Sequence, residues 1–367
     1  MRVLLINPWE TGEFPPPSIG YLQAALKYWK VDVVVKDLPA AMVDTDSYDL
    51  VAVSFHSFSV KYARQIRDHF KGKLICGGHH SSALPNQMLI IGYDQVVVGE
   101  GENAIIDIIQ GNESDIVSNC EHKYFYGINE IPFPDYTGLK FWGSQGIPII
   151  SSRGCPFRCN FCGSTEFWGH TYRMRSSENV ILEIEKRKSE GYKTWIFYDD
   201  NFTANKKRVF EICSSLDGEL KWQCVGRAES MDEELARELY RAGCRKVHFG
   251  IESLSQDALD RMGKNTTVEK MLKGVEIAEN AGISTMSLFL VGLPGDTYRN
   301  IEETRQNRLR SRITQYGPNI AWVLPNTSLY TKAKEYGMSD DIYLESGAPF
   351  YTYEQSMETL NQWANSI

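Results

Sequence analysis

Two series of short β-branched runs, each alternating with amphipathic helical stretches, constrain this chain more than any other feature. Strands joined by helices of that length can pair only in parallel. In the first series the runs are 3–6, 31–35, 50–54, 73–76 and 95–98, with helices over 19–29, 60–70 and 103–109. Such a sheet is covered on both faces, its crossovers are right-handed, and a ligand sits beyond the C-terminal ends of its strands. The loops there are Asn7-Pro8, 54–57, 77–80 and 99–102. The stretch 39–48 is short for a full crossover helix. In the second series the runs are 147–151, 194–198, 220–225, 246–249, 285–291 and 319–323, with helices over 178–190, 205–216, 232–242, 267–281 and 300–310. Six strands with their helices predict an open, partial (β/α)6 barrel of the TIM type, with its chemistry at the strand C-termini. The fold class is α/β: a doubly wound, Rossmann-like parallel sheet followed by that barrel. A chain of 367 residues accommodates both. The domains are 1–111, a linker over 112–146 carrying Pro132-Phe133-Pro134-Asp135, the barrel over 147–330, and an extension over 331–367.

Just beyond the first barrel strand stands Gly154-Cys155-Pro156-Phe157-Arg158-Cys159-Asn160-Phe161-Cys162-Gly163. Three thiolates this close on one loop can face a common centre. The count of three matters. A closed zinc site needs a fourth ligand, for which His170 is the nearest candidate. An iron–sulfur cubane on three thiolates leaves one iron open. Three unrelated core cysteines form the remaining alternative.

The other five cysteines, Cys76, Cys120, Cys213, Cys224 and Cys244, are scattered, which fits a reducing cytoplasm rather than a disulfide framework. The N-terminus reads as a strand, not a signal peptide. Mean hydropathy is −0.34, and no apolar run is long enough to span a bilayer. A formal net charge of −8 argues against general affinity for nucleic acid or anionic membrane.

The C-x3-C-x2-C spacing, with Phe161 before the third cysteine, resembles the signature of the radical S-adenosylmethionine (radical SAM) enzymes. The resemblance implies a [4Fe–4S] cluster on Cys155, Cys159 and Cys162, its open iron chelated by the amino and carboxylate groups of S-adenosyl-L-methionine (SAM). The elements Pro16-Pro17-Ser18-Ile19-Gly20-Tyr21-Leu22, Gly77-Gly78-His79 and Val98-Gly99-Glu100-Gly101-Glu102 resemble the cobalamin-binding domain that precedes many radical SAM cores. That implies cobalamin against Ser54, His56, Gly77, Gly78 and His79, in a crevice facing the barrel mouth. The cobalt-ligating D-x-H-x-x-G element is absent, as in many members of this subgroup. His56 and His79 could equally be ordinary surface or satisfied histidines.

Within the barrel the resemblance continues strand end by strand end. Asp199 and Asp200 stand where the family places acceptors for the methionine ammonium, while Asn201 or Thr203 could cap a helix. Arg227 is placed to grip the methionine carboxylate, with a surface ion pair as the alternative. Glu252, in Gly250-Ile251-Glu252-Ser253, is placed to accept from the ribose hydroxyls or the amine. Gly292-Leu293-Pro294-Gly295-Asp296 lets backbone approach the adenosine. Phe161 packs near the adenine. Pro325-Asn326-Thr327-Ser328-Leu329-Tyr330 matches the family's last element except that Asn326 replaces glycine. Asparagine tolerates the left-handed backbone such a turn needs.

The function implied is reductive cleavage of SAM to a 5′-deoxyadenosyl radical, in a cobalamin-dependent methyltransferase acting on an unactivated carbon of a small molecule. The alternative with the same machinery is a cyclase or oxidoreductase without methyl transfer. A non-enzymatic iron–sulfur or zinc protein is the rival from another class. The partners implied are a small-molecule substrate and a one-electron reductant such as flavodoxin or ferredoxin. The chain shows no basic appended domain of the kind that binds tRNA.

Overall fold

The computed structural model describes residues 1–8, 14–44, 46–118, 123–139 and 146–367, which leaves Cys120 and part of the expected linker outside the described residues. The chain divides into two units, Met1–Ser144 with Met338–Pro349, and Gln145–Gly337 with Phe350–Ile367.

In the first unit, strands β1 (Arg2–Asn7), β2 (Asp32–Asp37), β3 (Leu50–Ser54), β4 (Leu74–Gly77), β5 (Gln95–Val97) and β6 (Ile116–Val117) form one sheet in the order β2-β1-β3-β4-β5-β6. Every pairing is parallel. Val3, Leu4, Leu5 and Ile6 are all buried, as befits a central strand covered on both faces. The order reverses between β1 and β3, where a doubly wound sheet opens its ligand crevice. The short stretch after β2 folds as the helix Leu38–Met42. β6 arises inside the expected linker. The helices Gly78–Ala83 and Pro85–Ile90 follow β4, where the sequence suggested a loop.

Residues from near the far end of the chain complete this unit. Tyr343, on the helix Asp341–Ser346, sets its ring 5.2 Å from that of His80, and Gln87 Nε2 donates to Asp340 O at 2.7 Å. His80 is fully buried, with Nδ1 3.1 Å from Ser57 Oγ and Nε2 2.9 Å from Gln87 Oε1.

The second unit carries β7 (Gly146–Ile149), β8 (Ser152–Gly154), β9 (Tyr172–Met174), β10 (Thr194–Phe197), β11 (Lys221–Gly226), β12 (Cys244–Glu252), β13 (Ser284–Val291) and β14 (Tyr316–Ile320). Six of them form an open, all-parallel sheet in the order β14-β13-β12-β11-β10-β7, which is the partial barrel. Its connections are the helices Ser177–Ser189, Lys206–Ser214, Glu233–Arg241, Val268–Asn280 and Tyr298–Leu309. Each begins on a capping side chain, from Ser176, Asn205, Asp232, Thr267 and Thr297 respectively. Asn201 and Thr203 cap no helix by side chain; Thr203 Oγ1 instead donates to Asn201 Oδ1 at 3.0 Å.

Burial alternates along β12 and β13, with Val247, Phe249, Ile251, Phe289 and Val291 on the fully buried face. On the half-buried face His248 Nε2 lies 2.9 Å from Gln223 Oε1. Two strands depart from expectation. The first stops at Ile149 because the Ser151 N–H turns to the Asp199 carboxylate instead of a ladder partner. The last begins three residues early, at Tyr316, and takes in Pro318, which an edge strand tolerates. Among the described residues no helix is long and apolar enough to cross a membrane.

Candidate metal centre and cofactor site

The cysteine loop leaves β8 and returns through β9. These two short strands pair antiparallel, Ser152 with Met174, Arg153 with Arg173 and Gly154 with Tyr172. The hairpin closes only because residue 154 is glycine. Its φ is +84°, and a Cβ there would fall 2.0 Å from the Thr171 carbonyl oxygen. The middle of the loop is pinned from two other strand ends. Asn160 N donates to Met262 O at 3.1 Å and Asn160 Nδ2 to Arg261 O at 2.7 Å, while Ser328 N donates to Asn160 O at 3.1 Å.

Cys155, Cys159 and Cys162 are free thiols, all half-buried, whereas Cys76, Cys213, Cys224 and Cys244 are buried in the cores. Burial raises the Cys155 thiol pKa and pushes that of Cys162 up to about 11, with the Asp200 carboxylate adding to both. Loading a metal centre here therefore displaces protons. Among the described residues, no three His, Cys, Asp or Glu side chains gather at a point where a single ion could sit. A cubane asks for three separate corner contacts instead. His170, the zinc candidate, turns to Glu166, with Nε2 3.7 Å from Oε1. The donor set fits a three-cysteine cluster.

Asp199 and Asp200 part company. The Asp199 carboxylate is buried, and the chain itself uses both its oxygens. Oδ1 accepts from Ser151 N at 2.6 Å and Ser152 N at 3.2 Å; Oδ2 accepts from Ser151 Oγ at 2.5 Å and Ser152 Oγ at 2.9 Å, with Arg208 Nη2 3.5 Å away. Asp199, expected at the cofactor, here anchors the two residues leading into the cysteine loop. Asp200 lies at the loop's rim, accepting from Gly154 N at 3.1 Å and from Ser164 Oγ. Desolvation raises its pKa, and the neighbouring Asp199 charge adds to this.

Arg227 also differs from expectation. The residue is 6% exposed, and each of its three guanidinium nitrogens has a partner. Nε donates to Glu229 Oε1 at 2.5 Å, Nη2 to Lys264 O at 2.5 Å, and Nη1 to Cys159 Sγ at 3.4 Å, over the Phe157 ring at 3.9 Å. It lies against the Cys159 sulfur rather than open to a carboxylate.

Glu252 holds a left-handed backbone, φ +65°, at the register shift that ends β12. A non-glycine residue there is strained, as residues at functional sites often are. Burial raises its carboxyl pKa, against the opposing charges of Lys264 and Arg227. Lys264 is the residue the sequence did not disclose. It is 3% exposed, and its Nζ has Glu252 Oε1 at 3.9 Å as its charged neighbour, beyond hydrogen-bond distance. Among the described residues no acceptor reaches that ammonium.

Phe161 is half-buried within the loop. Asn326 adopts φ +65°, so the left-handed turn survives the loss of glycine, and Thr327 behind it caps the helix Ser328–Glu335. At the end of β13, Asp296 Oδ2 accepts from Gly292 N and Leu293 N, both at 3.0 Å, which shapes the turn expected at the adenosine.

In the first unit, the residues expected at cobalamin gather at neighbouring strand ends. Ser54 pairs in register with Gly77, and the His56 and His79 rings stack with centroids 5.1 Å apart. Gly78, φ +90°, has no room for a Cβ, which would meet Phe55 O at 2.7 Å, whereas the space at Gly99, beyond β5, is open. Desolvation, with the adjacent His56 ring adding to it, lowers the His79 imidazole pKa to about 3, so His79 is neutral at pH 7.

Residues 149–307 match the family model of the Radical SAM superfamily. The chain is 27% identical to an uncharacterized methyltransferase of Pyrococcus horikoshii, over 96% of this chain and 86% of the relative. It is 27% identical to the anaerobic magnesium-protoporphyrin IX monomethyl ester cyclase of Cereibacter sphaeroides, over 90% of this chain but only 62% of the cyclase. Among solved structures, the radical S-adenosylmethionine methyltransferase TsrM of Kitasatospora setae, with cobalamin and [4Fe–4S] cluster bound, superposes with a TM-score of 0.72. That match is 19% identical and covers 91% of this chain and 75% of TsrM.

Proposed function

We propose that this chain, whose residues 149–307 match the Radical SAM superfamily model, is a radical SAM enzyme and a cobalamin-dependent methyltransferase acting on an unactivated carbon of a small molecule. One observation carries this reading. The three-thiol loop and the five residues expected at cobalamin each come together at strand C-termini, in a chain whose fold matches TsrM over 91% of its length. The bound cofactors supply an electron from the cluster, a radical precursor from SAM and a methyl carrier from cobalamin.

The chain's residues supply the holding and the orientation. Cys155, Cys159 and Cys162 give three thiolates and leave one iron open for SAM. Lys264, with three N–H donors and no acceptor, takes the methionine carboxylate, the role expected of Arg227. Asp200 and Glu252 accept from the methionine ammonium and the ribose hydroxyls. Phe161 and the turn after β13 border the adenosine. In the first unit, Ser54, His56, Gly77, Gly78 and His79 contact cobalamin, with Gly78 admitting close backbone approach and the open space at Gly99 leaving room. Neither histidine is assigned as cobalt ligand, so His79→Ala leaves the spectrum of bound cobalamin unchanged. The reductant is a one-electron carrier such as flavodoxin or ferredoxin, and the protein is assigned to the cytoplasm.

Equilibrium dialysis of cluster-loaded protein with hydroxocobalamin, alongside assays for S-adenosylhomocysteine and 5′-deoxyadenosine, tests the proposal. Retained cobalamin and both products support it. The match to the cyclase over 90% of this chain favours the second reading, radical chemistry without methyl transfer. That reading takes over if 5′-deoxyadenosine forms with a turning-over substrate while cobalamin is not retained and S-adenosylhomocysteine never appears.

A further inference from the structure

We infer that Arg227 sets the reduction potential of the cluster on Cys155, Cys159 and Cys162 through its hydrogen bond to the Cys159 sulfur, and that Glu229 attenuates its charge. The inference rests on the reading that this loop holds a [4Fe–4S] cluster.

The arrangement is built to keep one orientation. The Arg227 backbone N–H donates to Thr203 Oγ1 at 3.2 Å, which fixes the residue where β11 ends. The guanidinium carbon then sits 3.9 Å from the centroid of the Phe157 ring, a residue between the first two cysteines, and spends Nε on Glu229 and Nη2 on the Lys264 carbonyl. Nη1 is left aimed at Cys159 Sγ, 3.4 Å away. Cys159 alone among the three takes a charged side-chain donor in the described structure.

Reduction adds one negative charge to the cluster, supplied by a low-potential one-electron donor. A fixed cation on a ligand sulfur stabilises the reduced form more than the oxidised one, and so raises the potential. Hydrogen bonds to cluster sulfurs and local net charge are recognised levers of this kind. Their effect is larger where solvent is excluded, and Arg227 is almost fully buried. Glu229 opposes it from 2.5 Å, and its second oxygen, Oε2, is buried with no hydrogen-bond partner. That carboxylate is thus held for Arg227 and partly cancels its charge. Arg227 is a positioning residue in this account, acting through a ligand and not on SAM.

The test is a mediated redox titration of reconstituted protein without SAM, followed by the electron paramagnetic resonance signal of the reduced cluster. Iron is counted first, and about four per chain confirms a loaded cluster. Arg227→Met is expected to shift the midpoint to more negative potential, Arg227→Lys by less, and Glu229→Gln to more positive potential. Opposite signs distinguish an electrostatic device from general damage. Midpoints that do not move, or that move the same way in Arg227→Met and Glu229→Gln, overturn the inference. Should Arg227→Met fail to hold its cluster, Glu229→Gln, which keeps the arginine, decides alone: an unmoved or more negative midpoint refutes it. Wild-type protein that takes up no cluster would overturn the underlying reading instead.

Discussion

Replacing Asp199 with asparagine separates two adjacent carboxylates to which the structure gives different work. In Asp199→Asn the remaining oxygen can keep the Ser151 and Ser152 backbone bonds, and the two serine hydroxyls can rotate to accept from the new amide. The Arg208 guanidinium cannot adjust in the same way. Its side chain is 6% exposed, and with Asp199 neutralised it loses its buried counter-charge. Breaking a buried pair from one side costs about 3–5 kcal/mol. Arg208 retains bonds to Ser151 O at 3.0 Å and Ser151 Oγ at 2.9 Å, so the lower end, about 3 kcal/mol, is the expected loss. At about 2–4 °C per kcal/mol for a unit of this size, the melting midpoint falls by roughly 6–12 °C. Asp200→Asn keeps its acceptor for Gly154 and buries no orphaned cation, so its stability stays within about 0.5 kcal/mol of wild type, as for substitutions away from buried pairs. Scanning calorimetry of the cluster-free protein measures both. SAM affinity of the cluster-loaded fraction should respond in the opposite pattern, weakened in Asp200→Asn and unchanged in Asp199→Asn. An Asp199→Asn protein that melts like wild type would refute the assignment of Asp199 as an anchor.

Gly154→Ala forces a side chain into a left-handed residue and against the Thr171 carbonyl. Iron uptake on reconstitution should fall well below the about four atoms per chain expected of wild type, while circular dichroism shows the helices retained. Lys264→Met should weaken SAM binding about 10–100-fold, the worth of one charge-assisted hydrogen bond. Decarboxylated SAM should bind wild type and variant alike, and equilibrium dialysis with both ligands checks this. His80 is buried neutral with its pKa lowered to about 4. The unfolded chain therefore binds the extra proton first, and stability present above about pH 6.5 is lost as the pH falls towards 4, by about 3 kcal/mol in total. Urea unfolding at pH 7 and pH 5 should show part of that loss, and His80→Asn should remove its His80-dependent share.

The parts of the molecule legible in the sequence are those fixed by local chemistry. Asn205, Asp232 and Thr267 open their helices because a short polar side chain can take the free N–H three residues on. Gly243 and Gly282, at φ +100° and +86°, follow the helix ends because glycine adopts that conformation freely. The cysteine spacing pointed to a candidate metal centre for the same reason: all three candidate ligands lie on one loop. What stayed hidden depends on contacts distant in sequence. β8 and β9 have three residues each and no alternation, and they exist because each is the other's partner. β6 has only two residues and needs β5 to be a strand. Arg227 and Lys264 show the same limit at the site. A basic residue near a strand end is visible in the sequence. Whether its donors are already taken, as for Arg227, or left open, as for Lys264, depends on neighbours that only the fold brings together.

The return of Met338–Pro349 to the first unit has a consequence for how such a gene can be rearranged. A cut after Ser144 does not release an intact unit. It strips away the Asp340 carbonyl that Gln87 binds and the Tyr343 ring beside His80. It also removes Gly347, which approaches Phe58 so closely that a Cβ would lie 2.8 Å from the Phe58 carbonyl oxygen. Transplanting this sheet onto a different barrel would require three junctions made together, after Ser144, before Met338 and after Pro349. A recombination event that moves one contiguous block would leave the graft without its closing segment. Exchange of one contiguous block therefore cannot separate the sheet from the barrel with its closing segment in place.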